Sequence, residues 1–255
     1  MNTLKVLFVP AEFEALTPAD LTEATCVVFD VLRATSTMVA ALNNGALGIV
    51  PVATIEAAVR LHELDRDVLL AGERHGIRIR AAQTGGIDFA FGNSPREFTA
   101  DKVARKTIVT TTTNGTRALR ACLGAENVFA ASFANLNATA ARIRDLRPDQ
   151  LLLVCSGTGS EVSFEDALCA GALADLLWND TFASDHADSA HIARSVYRKH
   201  QNDLEGAMQH ASNARRLLAL PDLAADVDFC LDRDTADFAA VLGSDGTVRK
   251  AQPFL

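Results

Sequence analysis

Along the 255-residue chain, short runs of aliphatic and β-branched residues recur, each closing in polar groups and most followed by apolar residues at helical spacing. The runs predict strands at Leu4–Pro10, Cys26–Val31, Leu47–Val52, Val68–Glu73, Lys106–Thr112, Asn127–Phe133, Leu151–Ser156 and Asp226–Leu231. Val27-Val28-Phe29 and Leu151-Leu152-Leu153-Val154 are apolar without alternation, which marks strands covered on both faces, as in a parallel sheet. Between the runs, Met38, Ala41 and Leu42, then Ile55, Ala58 and Val59, and later Leu204, Ala207, Met208 and Ala211 repeat at the helical period. Gly45, after Asn43-Asn44, reads as a helix C-cap. Residues 180–220 read as charged helices, and Ala240–Ala251 as a hairpin around Ser244-Asp245-Gly246-Thr247. Arg78–Gly92, with Thr84-Gly85-Gly86, is the one long predicted loop, a kind of segment often used as a lid or binding loop.

This alternation predicts a layered α/β/α fold with a largely parallel or mixed sheet. We divide it into two subdomains around a cleft, residues 1–120 and 121–255, although no repeat or low-complexity linker marks the boundary. Composition agrees with a folded chain: 49% of residues are hydrophobic and 22% charged. A net charge of −8 argues against duplex nucleic acid or an anionic membrane as partner, but not against a small anion in a locally positive pocket. Five dispersed cysteines without a C-x-x-C pair predict neither a disulfide framework nor a zinc ribbon. The first residues lack the apolar core of a signal peptide, and the best apolar run, Leu168–Trp178, is short of a membrane span and carries Asp175. A cytoplasmic protein is the expectation; oligomeric state, a homodimer included, is left open.

In open parallel sheets, ligands bind past the carboxyl ends of strands. Here those ends carry chemistry. Phe29 is followed by Asp30 and then Arg33; Gly72 by Glu73-Arg74; Val109 by Thr110-Thr111-Thr112-Thr113-Asn114-Gly115-Thr116-Arg117; and Val154 by Cys155-Ser156-Gly157-Thr158-Gly159, ahead of a helix opening at Ser163-Phe164-Glu165-Asp166. Each cluster also has an ordinary reading. Asn114-Gly115 makes a turn and Thr116 an N-cap, Ser163 and Asp166 fit a capping box, and the arginines could be surface charges. Asp30 resists such a reading, because a carboxylate closing a buried strand must be hydrogen-bonded, paired or metal-bound. The three carboxylates Asp30, Glu73 and Asp166, with hydroxyls nearby, suit a hard cation such as Mg²⁺. Arg33, Arg74 and Arg117 could clamp phosphate and other acidic groups, with Thr112, Asn114, Gly115, Thr116 and Gly157 as neutral donors. Cys155 is a candidate nucleophile if its thiolate is activated, and a buried inert thiol otherwise.

Several known phosphate-handling patterns are absent. A D-x-D from Asp30 fails at Leu32, a C-x5-R from Cys155 at Glu161, and a G-x-G-x-x-G from Gly157 at Val162. Arg74-His75-Gly76 matches the short R-H-G of histidine phosphatases, which keeps a metal-independent enzyme using His75 as an alternative. A non-catalytic binder of an anionic metabolite is the other. His186 and His191 read as surface residues.

In order along the chain, Asp30-Val31-Leu32-Arg33-Ala34-Thr35-Ser36-Thr37, Ala71-Gly72-Glu73-Arg74, Gly92-Asn93-Ser94-Pro95-Arg96-Glu97-Phe98, Thr111-Thr112-Thr113-Asn114-Gly115-Thr116-Arg117-Ala118-Leu119 and Glu165-Asp166-Ala167-Leu168-Cys169-Ala170-Gly171 closely resemble the 2-phosphosulfolactate phosphatase (ComB) family, with a weaker echo at Asp226-Val227-Asp228-Phe229-Cys230. The resemblance implies a Mg²⁺-dependent phosphatase of a two-part α/β fold, converting 2-phosphosulfolactate to sulfolactate on the way to coenzyme M. It also adds Asn93 and Ser94 as substrate-binding donors. The expected partner is therefore a small anionic phosphorylated acid.

Overall fold

Eleven strands form one sheet in the computed structural model, which describes residues 3–180 and 185–252. The strands are β1 (Thr3–Leu7), β2 (Ala24–Phe29), β3 (Gly48–Pro51), β4 (Leu69–Arg74), β5 (Ile77–Arg78), β6 (Thr107–Thr111), β7 (Asn127–Ala131), β8 (Gln150–Cys155), β9 (Asp185–His186), β10 (Ala240–Leu242) and β11 (Val248–Lys250). Their order is β5-β4-β6-β3-β11-β10-β7-β2-β8-β1-β9. Two parallel sets, β4-β6-β3 and β7-β2-β8-β1-β9, are joined by the antiparallel hairpin β10–β11, which pairs β3 on one side and β7 on the other. The layered α/β fold is as expected. Strands from both sides of residue 120 interleave in it.

Alternate residues of the central strands enter opposite layers, which explains why their sequences do not alternate. Val27, Phe29, Phe129, Leu151 and Leu153 pack with the helices Leu136–Leu146, Phe164–Leu177 and Asp188–His200. Cys26, Val28, Val128, Leu152 and Val154 pack with the helices Ala34–Asn43 and Gly115–Ala121. Helix Phe164–Leu177 is apolar nearly all round and comes so close to its neighbour Asp188–His200 that a Cβ on Gly171 would stand 2.2 Å from the Ala193 carbonyl oxygen.

The structure corrects three readings. Asp226–Leu231 lies not in a strand but in the helix Ala225–Leu231, with Asp226, Val227 and Cys230 buried at helical spacing. Arg78–Gly92 is not an open loop: β5, the helical turn Ala81–Thr84, and the buried Ile79, Phe89 and Phe91 pack it beside β4. His186 is not a bare surface residue, since its ring stacks on Trp178 at 3.8 Å. Of the charged helical stretch 180–220, positions 181–184 lie outside the described residues. Positions 1–2, the start of the segment read as lacking a signal peptide, lie outside them too. No helix among the described residues is long and apolar enough to cross a membrane.

Candidate active site

β2 and β4 are far apart in the sheet order, with β6, β3, β11, β10 and β7 between them, yet Asp30 beyond β2 and Glu73 on β4 line one cavity of about 230 Å³. The sheet curls enough to bring the carboxyl ends of its two parallel sets together. Arg33, His75, Gly76 and Asn93 complete one part of the wall, and Thr113, Asn114, Thr158, Gly159 and Arg216 another.

Asp30 is fixed by the start of the next helix. Its Oδ1 accepts the Ala34 N–H at 3.0 Å, and its backbone N–H donates to Thr35 Oγ1 at 3.0 Å. Gly115 lies against it, where a Cβ would stand 2.6 Å from Oδ2, so only glycine fits there. Burial, together with the Glu73 and Glu165 charges and against the Ala34 N–H bond, pushes the Asp30 carboxyl up to about 6. Glu73 is held by three donors: Thr113 N–H at 2.8 Å and its hydroxyl at 2.9 Å on Oε1, and Gly76 N–H at 2.6 Å on Oε2. The tight turn after β4 places His75 at φ 56° and exposed at the rim. Arg33 is 4% exposed and pairs with the fully buried Asp226 at 2.7 Å, while Asp226 also accepts the Ser94 hydroxyl at 2.7 Å.

Beneath the cavity lies the start of helix Phe164–Leu177. Asp166 does not close a capping box. Its Oδ1 accepts the Val31 N–H at 2.8 Å and its Oδ2 the Ser156 hydroxyl at 3.0 Å. Burial first, then the Glu165 and Asp30 charges, raise its carboxyl well above the usual carboxylate range. Glu165 is also buried. Its Oε1 accepts from Asn213 at 2.8 Å, and its Oε2 has no hydrogen-bond partner among the described residues.

The expected residues thus separate into groups. Asp30, Arg33, Glu73, Asn93 and Asn114 line the cavity, and Asp166 lies below it. Ser94, Thr112, Gly115, Thr116 and Gly157 are not in its lining: Ser94 donates to Asp226, Gly115 packs on Asp30, Thr112 and Thr116 bond each other, and Gly157 at φ 70° packs on Pro10. Arg74 is turned back onto Thr111, whose carbonyl and hydroxyl it donates to at 3.2 and 3.0 Å. Two expectations are corrected. Arg117 is an exposed residue paired with Glu14, outside the cavity lining. Cys155 is fully buried within β8, where burial and the Asp166 charge push its thiol far up, so no thiolate faces a substrate. The sequence reading missed Thr158, Asn213 and Arg216. No local signal marks Arg216, which looks like any exposed arginine of a short helix until Ser212–Leu218 folds over the Gly157–Gly159 loop.

The donor set is all oxygen: Asp30, Glu165 and Asp166 are buried and crowded together, Glu165 with an oxygen unpartnered among the described residues, while the expected ligand Glu73, also buried, has both oxygens engaged by Thr113 and Gly76; such a set gains from a hard cation. Among the described residues no three acidic, histidine or cysteine side chains are gathered to hold one ion. Mg²⁺ does not need that, since it commonly takes one or two carboxylates and fills its shell with waters and phosphate. The residues present fit it.

A family model described as 2-phosphosulpholactate phosphatase matches residues 12–244. A protein of Thermotoga maritima is 41% identical over 210 residues, 82% of this chain and 85% of its own length. One from Caldanaerobacter subterraneus subsp. tengcongensis is 39% identical over 245 residues, 95% and 97% of the two chains, and one from Caldicellulosiruptor saccharolyticus is 37% identical over 234, 89% and 92%. All three are named "Probable 2-phosphosulfolactate phosphatase". The chain belongs to the 2-phosphosulpholactate phosphatase family and is a phosphoric monoester hydrolase.

Proposed function

We propose that the cavity hydrolyses 2-phosphosulfolactate to sulfolactate and phosphate, with Mg²⁺ held by one or two of the carboxylates Asp30, Glu165 and Asp166. The observation that carries this is the crowding of those buried carboxylates beside Arg33 at converging strand ends, with Glu165 Oε2 left without a hydrogen-bond partner among the described residues. The relatives' names supply the substrate. When bound, the ion would neutralise charge on the phosphoryl oxygens, which is the main demand of phosphate-monoester hydrolysis.

Arg33, held rigid by Asp226, donates to the phosphoryl oxygens, and the Thr113-Asn114 turn supplies neutral donors. A water oxygen attacks phosphorus, and Glu73 takes up one of its protons. The ester P–O bond breaks with its electron pair on the alcohol oxygen, which receives that proton. The histidine-phosphatase alternative has less support: His75 is exposed, and no second histidine is among the residues lining the cavity. Phosphate release from 2-phosphosulfolactate tests the proposal. Activity should vanish with EDTA, return with Mg²⁺, and fall at least 10³-fold in Asp30→Asn. Turnover that survives chelation and is lost in His75→Ala would replace this reading by the metal-independent one.

A further inference from the structure

We infer that Arg216 reads the second acidic group of the substrate and so sets the preference for phosphomonoesters that also carry a sulfonate or carboxylate. This rests on the phosphatase reading above and deepens it.

Two guanidinium groups line the cavity, and they differ in what already balances them. Arg33 is buried and paired with Asp226 at 2.7 Å, a carboxylate that Arg96 also meets at 3.6 Å, and another of its nitrogens faces the Gly76 carbonyl oxygen at 3.5 Å. Arg216 is exposed and bonds Asn213 Oδ1, one turn back on its own helix, at 3.3 Å. No carboxylate pairs with it among the described residues. Arg216 is therefore the cavity arginine whose charge is left for a ligand.

Its position is not left to chance. Asn213 Nδ2 donates to Thr158 Oγ1 at 2.6 Å and to Glu165 Oε1 at 2.8 Å, so the side chain that steadies Arg216 is pinned to the buried acidic cluster. Helix Ser212–Leu218 comes to the cavity from outside the strand ends that hold Asp30, Arg33 and Glu73. A ligand with its phosphate beside Arg33 and the carboxylates still has, within about 230 Å³, one uncompensated cation to satisfy. A planar guanidinium presents paired donors that match a carboxylate or sulfonate, which a lysine does not reproduce.

Calorimetric titration of the Mg²⁺-loaded enzyme with sulfolactate tests the assignment without turnover. Arg216→Met should bind roughly 10- to 100-fold more weakly than wild type, with Arg216→Lys in between. Kinetics give a second reading. The ratio of kcat/KM for 2-phosphosulfolactate to that for p-nitrophenyl phosphate should fall by a similar factor in Arg216→Met, through KM. Unchanged sulfolactate binding, or equal losses on both substrates, overturns the inference. Sulfolactate binding that depends on Arg216, in an enzyme that releases no phosphate from any monoester, would keep Arg216 and discard the phosphatase reading.

Discussion

Asp166 has both oxygens engaged, by the Val31 N–H and the Ser156 hydroxyl, while it sits among other buried carboxylates. Asparagine can keep both bonds, because the amide oxygen still accepts from Val31 and the Ser156 hydroxyl can turn to accept from the amide nitrogen. What is lost is a charge that folding must either bury or neutralise with a proton. Asp166→Asn is therefore expected to stabilise the metal-free protein, by roughly 1–3 kcal/mol in urea unfolding, while abolishing activity. A destabilised variant would show that the charge is already compensated. The Arg33–Asp226 pair behaves in the opposite way. Asp226→Ala leaves a buried guanidinium without its carboxylate and Ser94 without its acceptor, and should cost about 3–5 kcal/mol. A loss below about 1 kcal/mol on the same denaturant curve would mean that water replaces the carboxylate. At this scale the sequence was partly readable. A carboxylate closing an apolar strand, Asp30, has few ordinary explanations. The same rule misplaced Cys155, because burial on β8 runs through its last residue and the polar groups begin only at Ser156. Arg117 misled through adjacency: it follows the cavity-lining turn Thr113-Asn114 in sequence but leaves it in space, toward Glu14.

The hairpin shows what periodicity reads and what it does not. Its turn residues are visible in sequence, yet its place in the middle of the sheet depends on pairings with distant chain, Val248 with Ile49 and Ala240 with Ala130. Asp226–Leu231 shows the converse, because a buried aspartate on a helix reads as a break in the apolar face; only its distant partner Arg33 explains it. Within the hairpin, the Arg249 side chain first, then the Thr247 N–H, hold the Asp245 carboxyl down at about 2. The depressed native value means that the unfolded chain binds a proton more readily, so the pair's contribution is present above about pH 4 and lost as pH falls toward 2. In acid unfolding, wild type should lead Asp245→Asn at pH 6 and lose that lead below about pH 2. A lead that persists unchanged at the lowest pH would assign it to something other than the carboxylate. Helix packing gives a second check at this scale. Gly171→Ala improves helix propensity by up to about 1 kcal/mol but drives a methyl into the Ala193 carbonyl. The clash involves backbone, which gives little, so overpacking should win by about 1–3 kcal/mol in the same measurement.

For the whole molecule, the cavity exists only because the sheet curls and its two parallel sets meet at their carboxyl ends, with carboxylates arriving from both. Each strand end is legible in the sequence, but their convergence is set by strand order and by the central hairpin, which no local pattern encodes. A fold that gathers like charges in this way is held back by their repulsion until a counterion joins them. A cation that binds only this arrangement stabilises it by mass action, about 2.7 kcal/mol when present at a hundred times its dissociation constant. For a chain of this length that corresponds to a rise in Tm of roughly 5–10 °C. Mg²⁺ added to EDTA-treated protein should produce such a rise, Ca²⁺ or Mg²⁺ at the same ionic strength should exceed Na⁺, and Asp30→Asn should lose most of it. General screening by salt acts on all exposed charges and would move wild type and variant together. Equal melting curves with EDTA and with Mg²⁺, in an enzyme that still turns over, would remove the cation from the site and leave charge neutralisation to Arg33 and the donors of the Thr113-Asn114 turn.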